Sequence, residues 1–308
     1  MGKIAYIFPG QGSQSVGMGK DLFDNFAAAR RVFEEADDAL GFPLSEMCFA
    51  GNAEDLQLTE NTQPAILTAS VAAYRAMIAD GFDAPDFVAG HSLGEYSALV
   101  AAGVLDFADA VRTVRKRGRY MQEAVPVETG AMAAILGAEL DVIEAVCNDV
   151  EGVCSPANIN SPGQVVIAGA SNAVDAACEL LKERGAKRAI KLNVSAPFHC
   201  ELMMPAQERL ADDLKDLSCA PFAFPIVHNV DANVNNDASV VAKELTSQVS
   251  SPVRWLESMR QLTAKGVDTM VEVGPGKVLC GLMKEIDREV RCFNVEDSES
   301  LRNTKDTL

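Results

Sequence analysis

Short apolar runs alternate with longer helical patterns over residues 1–126 of the chain. Residues Ile4–Phe8 form one apolar run, and residues Phe87–Ala89 form another that leads into a glycine-containing turn. Apolar residues then recur at helical spacing in Thr62–Asp80 and in Phe107–Glu123. Because predicted strands and helices alternate, we expect an α/β fold with a mainly parallel sheet.

The pattern changes between residues 127 and 195. This segment predicts a strand, a helix, two strands, a helix and a final strand, with a Ser-Pro-Gly turn between the two central strands. The order βαββαβ is typical of a ferredoxin-like domain, for which about 70 residues are sufficient. We therefore predict a ferredoxin-like small domain, residues 127–195, inserted into a larger α/β domain made of residues 1–126 and 196–308.

After residue 195 the chain returns to α/β patterning. Pro225–Val230 and Thr269–Val273 are predicted strands, Val249–Leu262 is predicted to be partly helical, and a helix is predicted to start near Lys277. The residues from Glu296 onward are polar, and we expect this end of the chain to be loose.

Composition limits the function classes open to the chain. Of its 308 residues 44 are acidic and 27 are basic, which gives a formal net charge of −17. Such a surface repels phosphate over most faces and argues against binding to nucleic acid or to an anionic membrane. The longest apolar stretch, Ala98–Leu105, is far shorter than the roughly 20 residues that span a bilayer. The N-terminal segment also lacks the apolar core of a signal peptide.

The eight cysteines show no C-x-x-C spacing, which excludes a zinc ribbon and a thioredoxin-like motif. Cys147, Cys178 and Cys280 lie in apolar helical stretches, where buried free thiols are expected. Free thiols are typical of a reducing compartment, so we predict a cytoplasmic protein.

The sequence Gly90-His91-Ser92-Leu93-Gly94 is a G-x-S-x-G motif between a predicted strand and a predicted helix. A nucleophile elbow requires this context, because a tight turn there exposes the serine Oγ at the start of a helix. Ser92 is therefore the predicted nucleophile, and the backbone N–H of Leu93 is a predicted oxyanion donor. The elbow predicts that the larger domain is α/β-hydrolase-like.

Three histidines compete for the role of general base. The side chain of His91 points away from that of Ser92, because the two residues are neighbours in the chain. His228 lies in an apolar run and is expected to form a hydrogen bond in the core. His199 follows Ser92 in the chain order of this fold class, so it is the predicted base. Cys200 is not expected to act as a nucleophile, and the histidines show no metal-ligand spacing.

Six motifs occur in order along the whole chain. They are FPGQGSQ (8–14), TQPAI (62–66), GHSLGEY (90–96), KRG (116–118), APFH (196–199) and VEVGPGKVL (271–279). With these motifs the chain resembles the malonyl-CoA:acyl carrier protein transacylase family of bacterial-type fatty acid synthesis. The resemblance implies ping-pong transfer of malonyl from malonyl-CoA, through a malonyl-serine, to the phosphopantetheine thiol of an acyl carrier protein. It implies no metal and no cofactor.

The resemblance also implies roles for individual residues. Ser92 would be acylated, His199 would be its base, and Gln11 would supply a second oxyanion N–H beside Leu93. The backbone carbonyl of Gln248 would orient His199, a role that residue spacing alone leaves unassigned.

Arg117 would bind the free carboxylate of the malonyl group. A guanidinium suits a carboxylate that must be desolvated beside an ester, because it donates two parallel hydrogen bonds. The other members of its basic cluster are expected on a solvated helix face: Arg112, Arg115, Lys116 and Arg119. A second basic group is expected to attract an acidic carrier protein: Lys182, Arg184, Lys187, Arg188 and Lys191.

Other functions stay open at this point. A serine hydrolase of acyl thioesters shares the G-x-S-x-G motif and the histidine, although it needs no buried arginine. A discrete malonyl acyltransferase of polyketide synthesis shares every motif. A non-catalytic protein that binds carrier proteins is disfavoured, because a nucleophile, a base and a carboxylate ligand are all present.

Overall fold

The computed structural model describes residues 2–126, 129–194 and 196–308. The first of these parts contains two strands and seven helices. They are β1 (Lys3–Phe8), α1 (Lys20–Asn25), α2 (Ala27–Leu40), α3 (Leu44–Ala50), α4 (Ala53–Gln57), α5 (Thr59–Ala79), β2 (Phe87–Gly90), α6 (Gly94–Ala101) and α7 (Phe107–Glu123). The patterning predicts both strands and the long helices α5 and α7. It misses α3 and α4, which are too short to show a clear period.

The second part forms a separate antiparallel sheet with two helices. Its elements are β3 (Gly130–Leu136), α8 (Leu140–Asp149), β4 (Cys154–Ser161), β5 (Gln164–Ala170), α9 (Ser171–Glu183) and β6 (Arg188–Lys191). The strand order is β4-β5-β3-β6, and the predicted βαββαβ order is confirmed. Both helices bury an apolar face against this sheet, for example through Ile143 and Val174. The predicted domain boundaries, residues 127 and 195, lie outside the described residues.

The third part completes the larger sheet. It contains α10 (Met204–Leu214), β7 (Ile226–Val227), β8 (Val234–Asn235), α11 (Val241–Gln248), α12 (Trp255–Ala264), β9 (Val267–Val273), α13 (Val278–Ile286), β10 (Arg291–Val295) and α14 (Ser298–Lys305). The sheet has six strands in the order β10-β9-β1-β2-β7-β8. All neighbouring strands run parallel except β7 and β8. The mainly parallel sheet predicted for this part of the chain is confirmed.

The strand register places the functional loops side by side. Strands β1 and β2 pair in parallel, with Phe8 opposite Gly90 at their carboxyl ends. The loop after β1 and the G-x-S-x-G turn after β2 therefore meet at one edge of the sheet. In open parallel sheets this carboxyl edge is the usual position of a ligand site.

Backbone contacts connect the small sheet to the larger unit. Val253 donates to the carbonyl of Ala157 at 2.8 Å, and Ile159 donates to the carbonyl of Val253 at 2.9 Å. Strand β4 thus lies over the carboxyl edge of the larger sheet. The space between the two sheets is the cleft described below.

The C-terminal segment differs from the prediction of a loose end. Helix α14 begins with a capping box, in which Asp297 accepts from the backbone N–H of Ser300 at 2.7 Å. Leu301 on this helix is only 1% exposed, and Lys305 forms an ion pair with Asp80 at 2.8 Å. The expectation was wrong because the cap, the buried Leu301 and the ion pair to Asp80 together dock a short polar helix.

The prediction of a free thiol at Cys280 was also wrong. Cys280 on α13 and Cys292 on β10 are disulfide-bonded, with their Cα atoms 5.5 Å apart. Helix α13 packs against β10, the next element of the chain. This packing brings the Cα atoms of the two cysteines within the distance range of a disulfide. Cys147 and Cys178 are buried and free, as predicted. Among the described helices, none combines the length and the apolarity needed to cross a membrane.

Candidate active site

Ser92 lies in a sharp turn between β2 and α6. Its φ angle is 52°, in the left-handed region that residues with a side chain seldom adopt. The flanking glycines make this turn possible. A Cβ atom at Gly90 would lie 1.9 Å from the backbone of Gly94, and one at Gly94 would lie 2.1 Å from the carbonyl oxygen of Phe8. The strand, the turn and the helix therefore have the geometry of a nucleophile elbow.

His199 is the histidine that contacts Ser92. Its Nε2 atom lies 2.7 Å from the Ser92 Oγ, and its Nδ1 atom lies 2.8 Å from the backbone oxygen of Gln248. The carbonyl can only accept, so Nδ1 bears the proton and Nε2 accepts from the serine hydroxyl. Burial and the nearby positive charge of Arg117 lower the pKa of His199 to about 3. The imidazole is therefore neutral at physiological pH, as a general base must be.

Arg117 projects from α7 into the cleft and is only 1% exposed. Its Nη1 donates to Gln63 Oε1 at 2.8 Å, and its Nη2 donates to Gln248 Oε1 at 2.8 Å and to Ser92 Oγ at 3.3 Å. Burial lowers the pKa of Arg117, although an arginine in this setting keeps its charge. Within the described ranges no carboxylate forms an ion pair with this guanidinium. The arrangement thus places a buried cation, with no direct carboxylate partner among the described residues, beside Ser92.

The rest of the basic cluster on α7 lies on the solvent side of the helix. Each of these residues has a carboxylate partner: Arg112 with Asp109, Arg115 with Glu60, Lys116 with Asp213, and Arg119 with Glu123. Exposed pairs of this kind contribute little to stability. The predicted solvated face is therefore present, and Arg117 is the member that faces inward.

Gln11 and Leu93 lie on the two loops that meet at the sheet edge. Both line the same cavity as Ser92, and Leu93 directly precedes α6. The side-chain amide of Gln11 donates to Thr59 Oγ1 at 3.3 Å. A helix N-terminus and an adjoining loop are the usual sources of an oxyanion hole in such elbows.

The other polar neighbours of Ser92 occupy different positions. His91 points away from the nucleophile, and its Nε2 atom lies 2.8 Å from Asn160 Oδ1 on the small sheet. His228 forms a buried hydrogen bond to Glu95 at 2.6 Å. Cys200 donates to the carbonyl of Pro197 at 3.1 Å, and burial raises the pKa of its thiol to about 11, which makes it a poor nucleophile.

Three polar residues of the site have no role that sequence patterns predict: Gln63, Glu95 and Asn229. Asn229 accepts from the backbone N–H of Ser92 and donates to the carbonyl of Gly90, each at 2.7 Å. Gln63 and Glu95 lie inside the TQPAI and GHSLGEY motifs. The sequence therefore points to these two residues, although it does not predict their contacts. Asn229 follows a short buried strand and has no comparable local signal.

A cavity of about 100 Å³ opens at Ser92 between the two sheets. Its lining includes the apolar side chains of Met121, Met132, Leu192 and Phe198. A second cavity of about 220 Å³ adjoins it and extends between Gln11 and the small sheet. In the described parts of the chain, no group of three or more His, Cys, Asp or Glu residues is placed to hold a metal ion.

Comparison with known proteins identifies the family. The acyl transferase domain family matches residues 5–300. The chain is 50% identical to a malonyl CoA-acyl carrier protein transacylase of Bacillus subtilis, over 100% of this chain and 98% of the relative. An acyl carrier protein S-malonyltransferase of Vibrio cholerae superposes with a TM-score of 0.96 at 48% identity, over 98% of this chain and 99% of that one.

A second solved structure is a malonyl-transacylase in complex with a holo acyl-carrier protein of a type II polyketide synthase. It superposes with a TM-score of 0.97 at 45% identity, over 99% of this chain and 100% of that one. These matches cover both sheets and the cleft between them. The chain is an acyltransferase and belongs to the malonyl-CoA:acyl carrier protein transacylase family.

Proposed function

We propose that this enzyme transfers the malonyl group of malonyl-CoA to the phosphopantetheine thiol of an acyl carrier protein in fatty acid biosynthesis. The observation that supports this substrate most directly is Arg117. It is a buried guanidinium with no carboxylate partner among the described residues, 3.3 Å from the nucleophilic oxygen. A buried cation is stable when an anion accompanies it, and the malonyl carboxylate supplies that anion.

The first half-reaction acylates Ser92. His199 Nε2 takes the hydroxyl proton as Oγ attacks the thioester carbonyl carbon. The backbone N–H groups of Gln11 and Leu93 stabilise the oxyanion, and one such donor is worth about 3 kcal/mol in comparable enzymes. The C–S bond then breaks, and CoA leaves as a thiol with the proton that His199 returns. The product is a malonyl-serine ester.

The second half-reaction reverses these proton movements on a new thiol. The carrier protein's pantetheine thiol gives its proton to His199 and attacks the ester carbonyl. The Ser92–acyl bond breaks, and Ser92 recovers its proton from His199. Throughout both steps the Gln248 carbonyl holds the imidazole in the correct tautomer through Nδ1–H. Water is the competing nucleophile, and the apolar lining of the cleft limits its access.

We assign the adjoining cavity to the pantetheine arm that both thiol substrates share. Asn158 lines both cavities, and its buried Oδ1 atom has no hydrogen-bond partner within the described residues. A pantetheine arm contains two amide N–H groups, which are suitable donors for such an acceptor. One arm site used by CoA and by the carrier protein in turn is consistent with ping-pong transfer.

We place the carrier protein at the basic end of the small sheet. There, Lys182, Arg184 and Lys191 are already paired with Glu179, Asp149 and Asp175 of the same unit. Lys187 and Arg188 are exposed and form no ion pair with any described residue. On a chain with a net charge of −17, two free cations offer a local site for an acidic partner.

We also propose the domain division 1–126 with 196–308, and 127–195, because the small sheet and its helices bury a core of their own. We place the enzyme in the cytoplasm, since six of its cysteines are free thiols.

The polyketide alternative has the same chemistry and differs only in its carrier protein. The hydrolase alternative has less support, because nothing in ester hydrolysis requires the unpaired Arg117.

Intact mass spectrometry tests the proposal. The enzyme is mixed with malonyl-CoA, and its mass is followed before and after addition of holo carrier protein. We expect a malonyl adduct that the carrier protein removes, and no adduct on Ser92→Ala. Ser97→Ala, one helical turn further on, is the matched control and should still form the adduct. An adduct that water removes as fast as the carrier protein does would support the hydrolase instead.

A further inference from the structure

A buried carboxylate, Glu95, lies beneath the nucleophile elbow and has no part in the reaction described above. It is 0% exposed and accepts hydrogen bonds from three donors. His228 Nδ1 lies 2.6 Å from Oε1, while the Asn229 backbone N–H at 3.2 Å and Gln248 Nε2 at 2.7 Å reach Oε2. We call Glu95, His228, Asn229 and Gln248 the Glu95 cluster. An ionised carboxylate accepts on both oxygens, so it can satisfy all three donors.

The side chain of Gln248 has one orientation in this cluster. Its Nε2 donates to Glu95 and also to the carbonyl oxygen of Ser92 at 3.0 Å. Its Oε1 is then the atom that faces Arg117 Nη2 at 2.8 Å. If the amide were rotated by 180°, Oε1 would face the Glu95 carboxylate and Nε2 would face the guanidinium. Both contacts would be repulsive, so Glu95, together with the carbonyl oxygen of Ser92, determines which atom Arg117 meets.

The neighbouring Asn235 determines the tautomer of His228. The N–H of Asp237 donates to Asn235 Oδ1 at 2.9 Å, so the Asn235 amide nitrogen is the atom that faces His228 Nε2, at 3.0 Å. Nε2 therefore accepts, and Nδ1 bears the proton that Glu95 accepts. A glutamine at position 95 would not fit this pattern. Its amide nitrogen would face either the Nδ1–H of His228 or the N–H groups of Asn229 and Gln248.

We propose that Glu95 is a positioning residue for malonyl selectivity, acting through the carboxamide of Gln248 on the guanidinium of Arg117. This inference rests on the proposed function, in which Arg117 binds the malonyl carboxylate. Glu95 does not touch the substrate. It keeps Gln248 Oε1 as the acceptor that holds Nη2 beside Ser92, while His199 is oriented independently by the backbone carbonyl of Gln248. Its loss should therefore affect recognition of the carboxylate more than the chemistry at Ser92.

The test compares acylation of Ser92 by malonyl-CoA and by acetyl-CoA, which differ only in that carboxylate. For Glu95→Gln we expect kcat/KM for malonyl-CoA to fall by about ten-fold or more, the usual effect of losing a hydrogen bond to a charged group. With acetyl-CoA the change should stay below about three-fold. Glu272→Gln is the matched control, because Glu272 is also fully buried and accepts two backbone N–H bonds at 3.0 and 2.8 Å. It should change both substrates by the same factor.

A second variant tests the route through Gln248. Gln248→Met removes the carboxamide and keeps the backbone carbonyl that orients His199. We expect the same selective loss for malonyl-CoA, and no further loss when it is combined with Glu95→Gln. If Glu95→Gln does not fold, Gln248→Met alone decides whether the carboxamide sets the selectivity.

Equal losses for both substrates in these variants, or additive losses in the double variant, would overturn the role of Glu95. Failure of the wild-type enzyme to form a malonyl-serine would instead overturn the proposed function, so the two failures are distinguishable.

Discussion

The two faces of α7 differ in the partners that they offer to cationic side chains. Five cations occur between residues 112 and 119. Four of them lie toward solvent and pair with carboxylates of the same chain. Arg117 lies toward the cleft, where the described residues that it contacts directly present neutral oxygens and the ring of Tyr96. On the exposed face each cation has a direct carboxylate partner, whereas the nearby carboxylate Glu95 reaches Arg117 only through the carboxamide of Gln248. We infer that a buried cation without a direct carboxylate partner marks the position of an anionic ligand.

The packing of α7 explains how this cation is buried. Arg117 shares the inner stripe of the helix with Ala110, Val114 and Met121, all of them buried. Next to it, a Cβ atom at Gly118 would lie 2.6 Å from the carbonyl oxygen of Thr59, so the glycine permits close approach of α7 to the start of α5. That approach places Gln63 of α5 within hydrogen-bond distance of the guanidinium.

The largest effect is expected from Arg117→Ala. A malonyl carboxylate would then enter the cleft without its counter-charge, and breaking one side of a buried charge pair costs about 3–5 kcal/mol. We expect kcat/KM for malonyl-CoA to fall by at least about 100-fold. Arg119→Ala, on the exposed face of the same helix, is the control and should leave the value unchanged. A loss of similar size in both variants would mean that α7 is simply destabilised, which a thermal unfolding measurement would show.

His199→Ala should slow acylation of Ser92 by about two orders of magnitude or more, a typical contribution of a general base. The measurement is the single-turnover rate of malonyl-serine formation at saturating malonyl-CoA. His91→Ala serves as comparison, because that side chain points toward Asn160 rather than toward Ser92. A greater loss in His91→Ala than in His199→Ala would show that the wrong histidine has been assigned.

A smaller effect is expected at the small sheet. Reversing Lys187 and Arg188 together to Glu should raise the KM for the carrier protein several-fold, with a larger rise at low salt because screening is weaker there. Formation of malonyl-serine from malonyl-CoA should hardly change. The matched control reverses Lys182 and Arg184, which are already paired within the chain. If this control raises the KM equally, the carrier protein does not distinguish the free cations from the paired ones.

The smallest effect concerns pH. The pKa of His199 is lowered to about 3, so its neutral form persists as the pH falls past the ordinary histidine value. Activity that depends on the neutral base should be lost only when the pH approaches the lowered pKa. We therefore expect kcat/KM for malonyl-CoA to change by less than about two-fold between about pH 5.5 and about pH 7.5. An inflection near the ordinary histidine value would show that the imidazole is not desolvated by the cleft.

Local sequence patterns predicted the parts of the fold and the site that depend on local geometry. The elbow is such a part, because its strand, its two glycines and its helix are contiguous. The βαββαβ order of the small sheet is another. In both cases the pattern of apolar residues and the turn residues specify the structure without distant partners.

The contacts between distant segments were not predictable in this way. Asn229 meets Ser92 across 137 positions, and Gln248 meets Glu95 across 153. No periodicity relates such positions, because the sheet order and not the sequence brings them together. The Cys280–Cys292 bond and the docking of α14 also depend on the position of β10, because β10 contains Cys292 and contacts α14.

The most direct test of the role of Arg117 is a competition. Wild-type enzyme, Arg117→Ala and Arg117→Lys are each mixed with equal amounts of malonyl-CoA and acetyl-CoA, and intact mass gives the ratio of malonyl-serine to acetyl-serine at early times. We expect a strong excess of malonyl-serine for the wild type, and loss or inversion of that excess for Arg117→Ala. Arg117→Lys should restore it only in part, because an ammonium group cannot form the bidentate pair. An unchanged ratio in Arg117→Ala would contradict the assignment of this buried cation to the malonyl carboxylate.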